Sequence, residues 1–332
     1  MKNMKNIYRI NKKIITLTLI IIIVFSFTSC NKKLGNDNTD TRKNIEFIVK
    51  MRSGEYWTTV QMGANDAAKE FNVNMNFIAP DTEEDIEGQK KLVNEAIDKK
   101  VDAIVLSASD YEKMSGVVNN AAANKIPVVL IDSGVNSDKP VSFISSDNVK
   151  AGKLAGEKLI ENVGRNSKVA ILNFVEGSES AMDREKGVID VLSNYPNVKL
   201  VAKEYCGSNE AMAESLTRSI ISMDKGLKGI VALNSAAALG AARALEELGL
   251  SGKIKLITFD STILELQFIE KGVIQGTVVQ NPFKMGYLGV EYAAMAARGN
   301  KVPKNENIDL KVIDKYNIYD PENQRFIFPF TK

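Results

Sequence analysis

From Asn44 onward, hydrophobic positions fall into two alternating arrangements: short continuous runs, and longer stretches in which they recur every three or four residues. Continuous runs suit strands buried on both faces of a parallel sheet, and the three-to-four repeat marks one face of a helix. Residues 45–51 (IEFIVKM) predict a first strand and residues 56–71 a helix after it. Val73–Ile78 is a second strand and residues 82–99 a second helix. The opening of that helix, Thr82-Glu83-Glu84-Asp85, sets a hydroxyl ahead of carboxylates, as helix N-termini favour. Residues 101–107 (VDAIVLS) and 128–132 (VVLID, directly after Pro127) are further strands, with a helix over 114–124 between them.

The rhythm then restarts. Strands are expected at 168–173, 199–204, 229–233 and Lys255–Phe259, and helices at 149–162, 184–194, 209–223, 236–248 and 262–271. The helix over 236–248 (AAALGAARALEEL) is rich in good helix formers, and Gly249 stands where a left-handed terminating residue is needed. Two successive α/β sets imply an α/β chain of two doubly wound parallel sheets with right-handed crossovers.

Composition narrows the function classes. A chain of 332 residues, 44% hydrophobic and 25% charged, has material for two domains. Its net charge is +2 with both signs interspersed, so it lacks the clustered basic footprint that binding a nucleic acid requires. It contains no histidine, which excludes a histidine triad, a histidine-ligated zinc and a histidine general base. No glycine-rich phosphate loop follows a strand, no nucleophile has a recognisable base, and no acidic calcium loop is present; neither enzyme, cofactor nor metal is expected. The one enzymatic reading left is a glycosidase-type carboxylate pair, Asp132 with Asp260.

The N-terminus reads as an address. Lys2, Lys5, Arg9, Lys12 and Lys13 precede an apolar stretch over 14–27, short for a membrane span and of signal-peptide length. It ends Phe27-Thr28-Ser29-Cys30, which resembles a bacterial lipoprotein cleavage box with Cys30 as the lipidated residue, although Phe27 stands where leucine is usual. The alternative is an uncleaved anchor. Either places the body outside the cytoplasm, and the Cys30 reading holds it on a membrane through its lipid anchor. Residues 31–43 are polar and aperiodic and read as a flexible tether. Cys206 is left without an intramolecular partner, so no disulfide is expected.

Several landmarks resemble the ribose-type and xylose-type periplasmic sugar-binding proteins, type I solute-binding proteins whose fold is shared by the sensory domains of lactose-repressor-like regulators. They are Met62-Gly63-Ala64, residues 126–132 (IPVVLID), Ser146-Asp147-Asn148 with residues 152–156 (GKLAG), and Arg184-Glu185-Lys186-Gly187. Asn234 with Ala238-Leu239-Gly240-Ala241, Phe259-Asp260 and Gln280-Asn281-Pro282 complete the set, and their order and spacing carry the likeness. The resemblance implies two lobes joined by a three-strand hinge, with crossings near Ser146-Asp147, Gln280-Asn281 and Asp309-Leu310. Its division of the chain is 1–30 signal peptide, 31–43 tether, 44–146 plus 281–309 N-terminal lobe, and 147–280 plus 310–332 C-terminal lobe. A DNA-binding regulator is set aside because a signal segment replaces the N-terminal helix-turn-helix.

The resemblance also implies a sugar in the cleft. A monosaccharide offers hydroxyls that both donate and accept, and apolar C–H faces, so its site needs polar forks at the rim and aromatic rings on the faces. In the family register Asp132 and Asp260 accept from hydroxyls, Arg184 donates, and Asn234 and Gln280 do both. Tyr56 and Trp57 fall where the family places two adjacent aromatics, and Phe259 lines the pocket. Each has a plainer alternative: a helix cap for Asp260, an ion pair with Glu185 for Arg184, core packing for Trp57 and Phe259. Ser133 stands where many relatives carry arginine and Ser235 where they often carry aspartate, and Arg52 is the basic residue offered in replacement. The implied function is capture of a monosaccharide, a pentose such as xylose or ribose favoured, for an ABC-type permease. The alternative is a sugar sensor that engages a membrane histidine kinase.

Overall fold

The computed structural model describes residues 42–328. Cys30, the expected signal segment and nearly all of the expected tether lie outside the described residues. Five strands come first: β1 (Lys43–Ile48), β2 (Val73–Ile78), β3 (Ala103–Leu106), β4 (Val128–Ile131) and β5 (Ser142–Ser145). They are interleaved with helices α1 (Glu55–Glu70), α2 (Ile86–Asp98) and α3 (Ser115–Ala123). Together with β11 (Asn305–Asn307) the strands form a six-stranded sheet in the order β11-β5-β4-β3-β1-β2, parallel throughout.

A second set repeats the design. Its strands are β6 (Ser167–Asn173), β7 (Val198–Tyr205), β8 (Leu227–Ala232), β9 (Lys255–Phe259) and β10 (Gly276–Val279). Its helices are α4 (Asn148–Val163), α5 (Glu179–Leu192), α6 (Glu210–Met223), α7 (Ser235–Glu247) and α8 (Ile263–Glu270). With β12 (Lys311–Ile313) the order is β12-β10-β9-β8-β6-β7, the same winding as the first sheet, and only β12 runs antiparallel to its neighbour. The chain passes between sheets after β5, after β10 into α9 (Pro282–Ala297), and between β11 and β12. A last helix, α10 (Pro321–Ile327), packs Ile327 and Phe326 into the second lobe. The α/β class and two doubly wound sheets read from the sequence are therefore the observed architecture.

All four residues of β3 and all four of β4 are buried, as a strand covered by helices on both faces demands. Glycines let three helix pairs approach to backbone contact. A methyl group at Gly63 of α1 would lie 2.0 Å from the Phe283 carbonyl oxygen of α9, and one at Gly152 of α4 would lie 2.1 Å from that of Arg184 on α5. At Gly240 of α7 the corresponding atom is the Glu210 carbonyl oxygen of α6, at 2.4 Å. Gly249 does adopt the left-handed conformation after α7, with φ 64°.

Two helix starts differ from expectation for local reasons. α2 begins at Ile86, because Asp85 is its cap and accepts from the Gly88 amide, leaving Thr82-Glu83-Glu84 as a loop outside the helix. α5 begins five residues before Arg184, so that arginine sits inside the helix on its buried face. The short strands β5, β10, β11 and β12 and the long apolar helix α9 carry weak or ambiguous periodicity and were not expected as elements.

Gly152→Ala forces apart α4 and α5, and overpacking of this kind costs about 1–3 kcal/mol. The expected outcome is a lowered midpoint of thermal unfolding followed by circular dichroism, with secondary structure retained below it.

Candidate functional site

Two strand ends set the site. Asp132 directly follows β4 and Asp260 directly follows β9, and both take the left-handed backbone conformation, with φ 60° and 76°. Aspartate tolerates this region better than most residues, and the kink turns each carboxylate out of its strand. The amide of each donates to the adjoining strand, Asp132 to Ile144 and Asp260 to Val278, both at 3.0 Å. The two carboxylates line one cavity of about 610 Å³, to which both sheets contribute.

Asp132 is 5% exposed and heavily bonded. Tyr56 donates to its Oδ1 at 3.0 Å, Ser107 donates to its Oδ2 at 2.9 Å, and the Lys50 ammonium lies 3.0 Å from Oδ2. Burial pushes its pKa up, but the positive charges of Lys50 and then Arg184 outweigh that and hold it below the ordinary aspartate value. Asp260 goes the other way. Burial dominates, and Arg184, the Gln280 amide at 3.2 Å and the Ser235 amide at 3.0 Å only partly offset it, so its pKa is raised. Burial, and then the charges of Asp132 and Asp260, push the Tyr56 phenol well above its usual value and keep it a donor.

Arg184 is 3% exposed. Its Nε donates to Asn148 Oδ1 at 2.9 Å and its Nη1 to the Leu233 carbonyl at 2.8 Å, and the guanidinium lies 4.6 Å from the Phe259 ring centroid. Glu185, the alternative partner, is instead taken by Lys203, Tyr205 and Asn173. Trp57 lines the cavity, 7% exposed, with its ring edge-on to Tyr56 at 5.0 Å. Gln280 and Asn234 also line it, and Asn234 at the same time caps α7, accepting from the Ala237 amide and donating to Ser208.

The cavity thus brings together Tyr56, Trp57, Asp132, Arg184, Asn234, Asp260 and Gln280. It leaves out Arg52 and Phe259. The Arg52 side chain is 74% exposed and pairs with Asp81 at 3.2 Å, because β1 ends at Ile48 and the chain turns outward before reaching it. Phe259 is the floor on which the Arg184 guanidinium rests. Asp260 is not the cap of α8 either; Thr262 is, in a reciprocal box with Glu265.

The basic residue that reaches Asp132 is Lys50, 1% exposed. Its ammonium also contacts Glu83 of the first lobe at 3.4 Å and the hydroxyls of Ser178 and Ser180 of the second at 3.0 and 3.1 Å. Glu83 accepts from Ser208, and the Gly134 amide donates to Glu179 at 2.6 Å, so further bonds span the cleft. Phe174 is a second unexpected wall, with Lys50 and Arg184 on its ring at 5.7 and 5.8 Å. Next to this wall Cys206 is buried, and burial pushes its thiol up to about 11. In the sequence, a lysine after IEFIV reads as a strand leaving the core, and only the burial of Glu83 and Asp132 shows otherwise. No group of side chains suited to a metal ion occurs among the described residues.

A family model described as periplasmic binding protein domain matches residues 45–301. The ribose import binding protein RbsB of Bacillus subtilis is 27% identical over 308 residues, 91% of this chain and 98% of its own. Among solved structures, the carbohydrate transporter solute-binding protein of Agrobacterium radiobacter in complex with D-arabinose superposes with a TM-score of 0.84. It is 31% identical and the match covers 86% of this chain and 99% of that one. A chain from the XylFII-LytSN complex superposes with a TM-score of 0.78 at 28% identity, covering 83% of this chain and 98% of that one.

Lys50→Met strips Asp132 and Glu83 of their buried counter-charge, and breaking such a pair costs about 3–5 kcal/mol. Urea unfolding is expected to show that loss, and adding Asp132→Asn to recover part of it. Glu265 is fully buried with one carboxylate oxygen unbonded, and burial, then the charge of Asp260, holds its pKa well above the ordinary value. The folded chain therefore keeps this proton to higher pH than the unfolded chain, and stability falls as pH rises from about the glutamate value through the raised one. Glu265→Gln is expected to make that fall shallower in melting curves across pH.

Proposed function

The chain belongs to the periplasmic binding protein domain family, and on that footing we propose that it captures a monosaccharide between its two lobes. The observation that carries the reading is the pair of left-handed aspartates, one from each sheet, facing a single cavity. Around them stand Arg184 and Gln280 to donate, Tyr56 to accept from the first lobe while its proton stays on Asp132, and Trp57 to stack on a C–H face. D-arabinose in the neighbour from Agrobacterium radiobacter, and ribose in the name of the Bacillus subtilis relative, support a pentose.

The mechanism follows from contacts made on both sides. Residues 44–146 with 281–309 and residues 147–280 with 310–332 are the two bodies, bending at the three crossings. A ligand favours the closed form only by the contacts it gains there and lacks in the open one. Asp132 and Tyr56 on one body, with Arg184 and Asp260 on the other, supply that difference. Cys30 carries the lipid that holds the chain at the membrane outside the cytoplasm, and the closed form delivers its sugar to an ABC-type permease. A second reading, a sensor whose closed form engages a membrane histidine kinase, is favoured by one observation, the likeness to XylFII in complex with LytSN.

Thermal unfolding against a panel of pentoses and hexoses tests the reading. Ligand at 100 times its dissociation constant adds about 2.7 kcal/mol, so one pentose is expected to raise the midpoint while its epimers do not. A panel without any shift would sink the sugar assignment. Asp132→Asn is expected to weaken binding by about 2–4 kcal/mol, read by titration calorimetry. Uronic acids and sugar phosphates are expected to give no shift: Glu55, Asp81, Glu83, Asp132, Glu210 and Asp260 line the cavity against only Lys50 and Arg184.

A further inference from the structure

A second hollow of about 260 Å³ lies beside the cleft, on the side of the β10–α9 crossing. Its walls are Thr59 and Met62 of α1, Ile263 at the start of α8, and Phe326 and Phe328 of the C-terminal segment. Met62 and Ile263 are large and apolar yet 41% and 56% exposed. Apolar surface gathered around a concavity, rather than scattered, marks a place where an apolar group settles. The two phenylalanines lie beyond the 45–301 match.

The hollow is not independent of the cleft. Glu55, Tyr56, Asp260, Thr262 and Gln280 line both, so a single layer of side chains separates them. Within that layer Gln280 donates to Asp260 at 3.2 Å, and the Ile263 amide donates to Glu55 across the two lobes at 3.2 Å. Elsewhere in the cleft Ser208 donates to Glu83 and accepts from Asn234, so those polar groups are already engaged. A sugar held by Asp260 and Gln280 therefore has, directly beside it, a surface that matches an apolar extension.

We propose that the ligand is a glycoside, its sugar ring in the cleft and an alkyl or aryl substituent in the hollow beyond Asp260 and Gln280. This rests on the sugar reading of the cleft. The anomeric oxygen, which carries the substituent, is the one that faces the Gln280 amide, and the C-terminal segment supplies half of the substituent's apolar wall.

Titration calorimetry on the full chain tests it, with the best monosaccharide of the panel and its methyl, ethyl, propyl and butyl glycosides in both anomers. One anomeric series is expected to tighten by about fourfold per methylene, the worth of burying that group. Thr59→Trp fills the hollow and is expected to flatten the series while the free sugar binds as before. Met62→Lys, at an exposed position where folding is safe, should do the same by charging the wall. A flat or weakening series in the unaltered chain, with the free sugar still bound, overturns the glycoside and leaves the sugar reading standing. A series that climbs equally in both variants overturns the placement in this hollow. Binding of neither sugar nor glycoside overturns both readings together.

Discussion

A carboxylate withdrawn from water needs a positive charge beside it, and the need of Asp132 organises much of the cleft. Its counter-charge comes from Lys50, two residues past the end of the first strand, and not from the residue that follows it in sequence, which is Ser133. An ammonium has three protons to place. Here Asp132, Ser178 and Ser180 all lie within 3.1 Å of it, and the two serines belong to the other lobe. The group that neutralises the first lobe's aspartate therefore also fastens the second lobe to it. Because the pair is shielded from solvent, added salt screens it far less than it would a surface pair.

The two lobes repeat one another in strand order, in glycine-seated helix pairs and in the left-handed aspartate at the end of the fourth strand. They diverge in charge. Asp132 has Lys50 in contact and holds its ionised form easily, whereas Asp260 is left to amides and a more distant guanidinium. One backbone device, used twice, thus places two acids of different basicity on opposite sides of the same space. An acceptor that binds its proton loosely and one that keeps it longer ask different things of the groups that meet them.

The alternation of strands and helices was legible because parallel strands must be apolar along their whole length; β3 and β4 could hardly be read otherwise. Edge and crossing strands escape that rule. β11 spells Asn-Glu-Asn and has no apolar residue, and its place is set only by pairing with β5. In the site, the strand-ending aspartates and Arg184 were legible through the family register. Lys50 was not, since its burial depends on acids 33 and 82 positions away in the chain. Arg52 stays outside the cavity for a related reason: Arg52 and Lys50 lie two residues apart, as strand neighbours on one face do, but the strand has already ended when the chain reaches them. Glu83 was assigned to a helix start by its neighbours' composition, and the cap at Asp85 released it to face the cleft.

Cys206 carries a different consequence. It is the only cysteine among the described residues, its thiol is enclosed beside the cleft wall, and at neutral pH it stays protonated and therefore a poor nucleophile. Maleimide dyes will pass it by. A pair of cysteines introduced on the outer faces of the two lobes could then take donor and acceptor fluorophores without replacing Cys206, and any change in the distance between the lobes could be followed in single molecules.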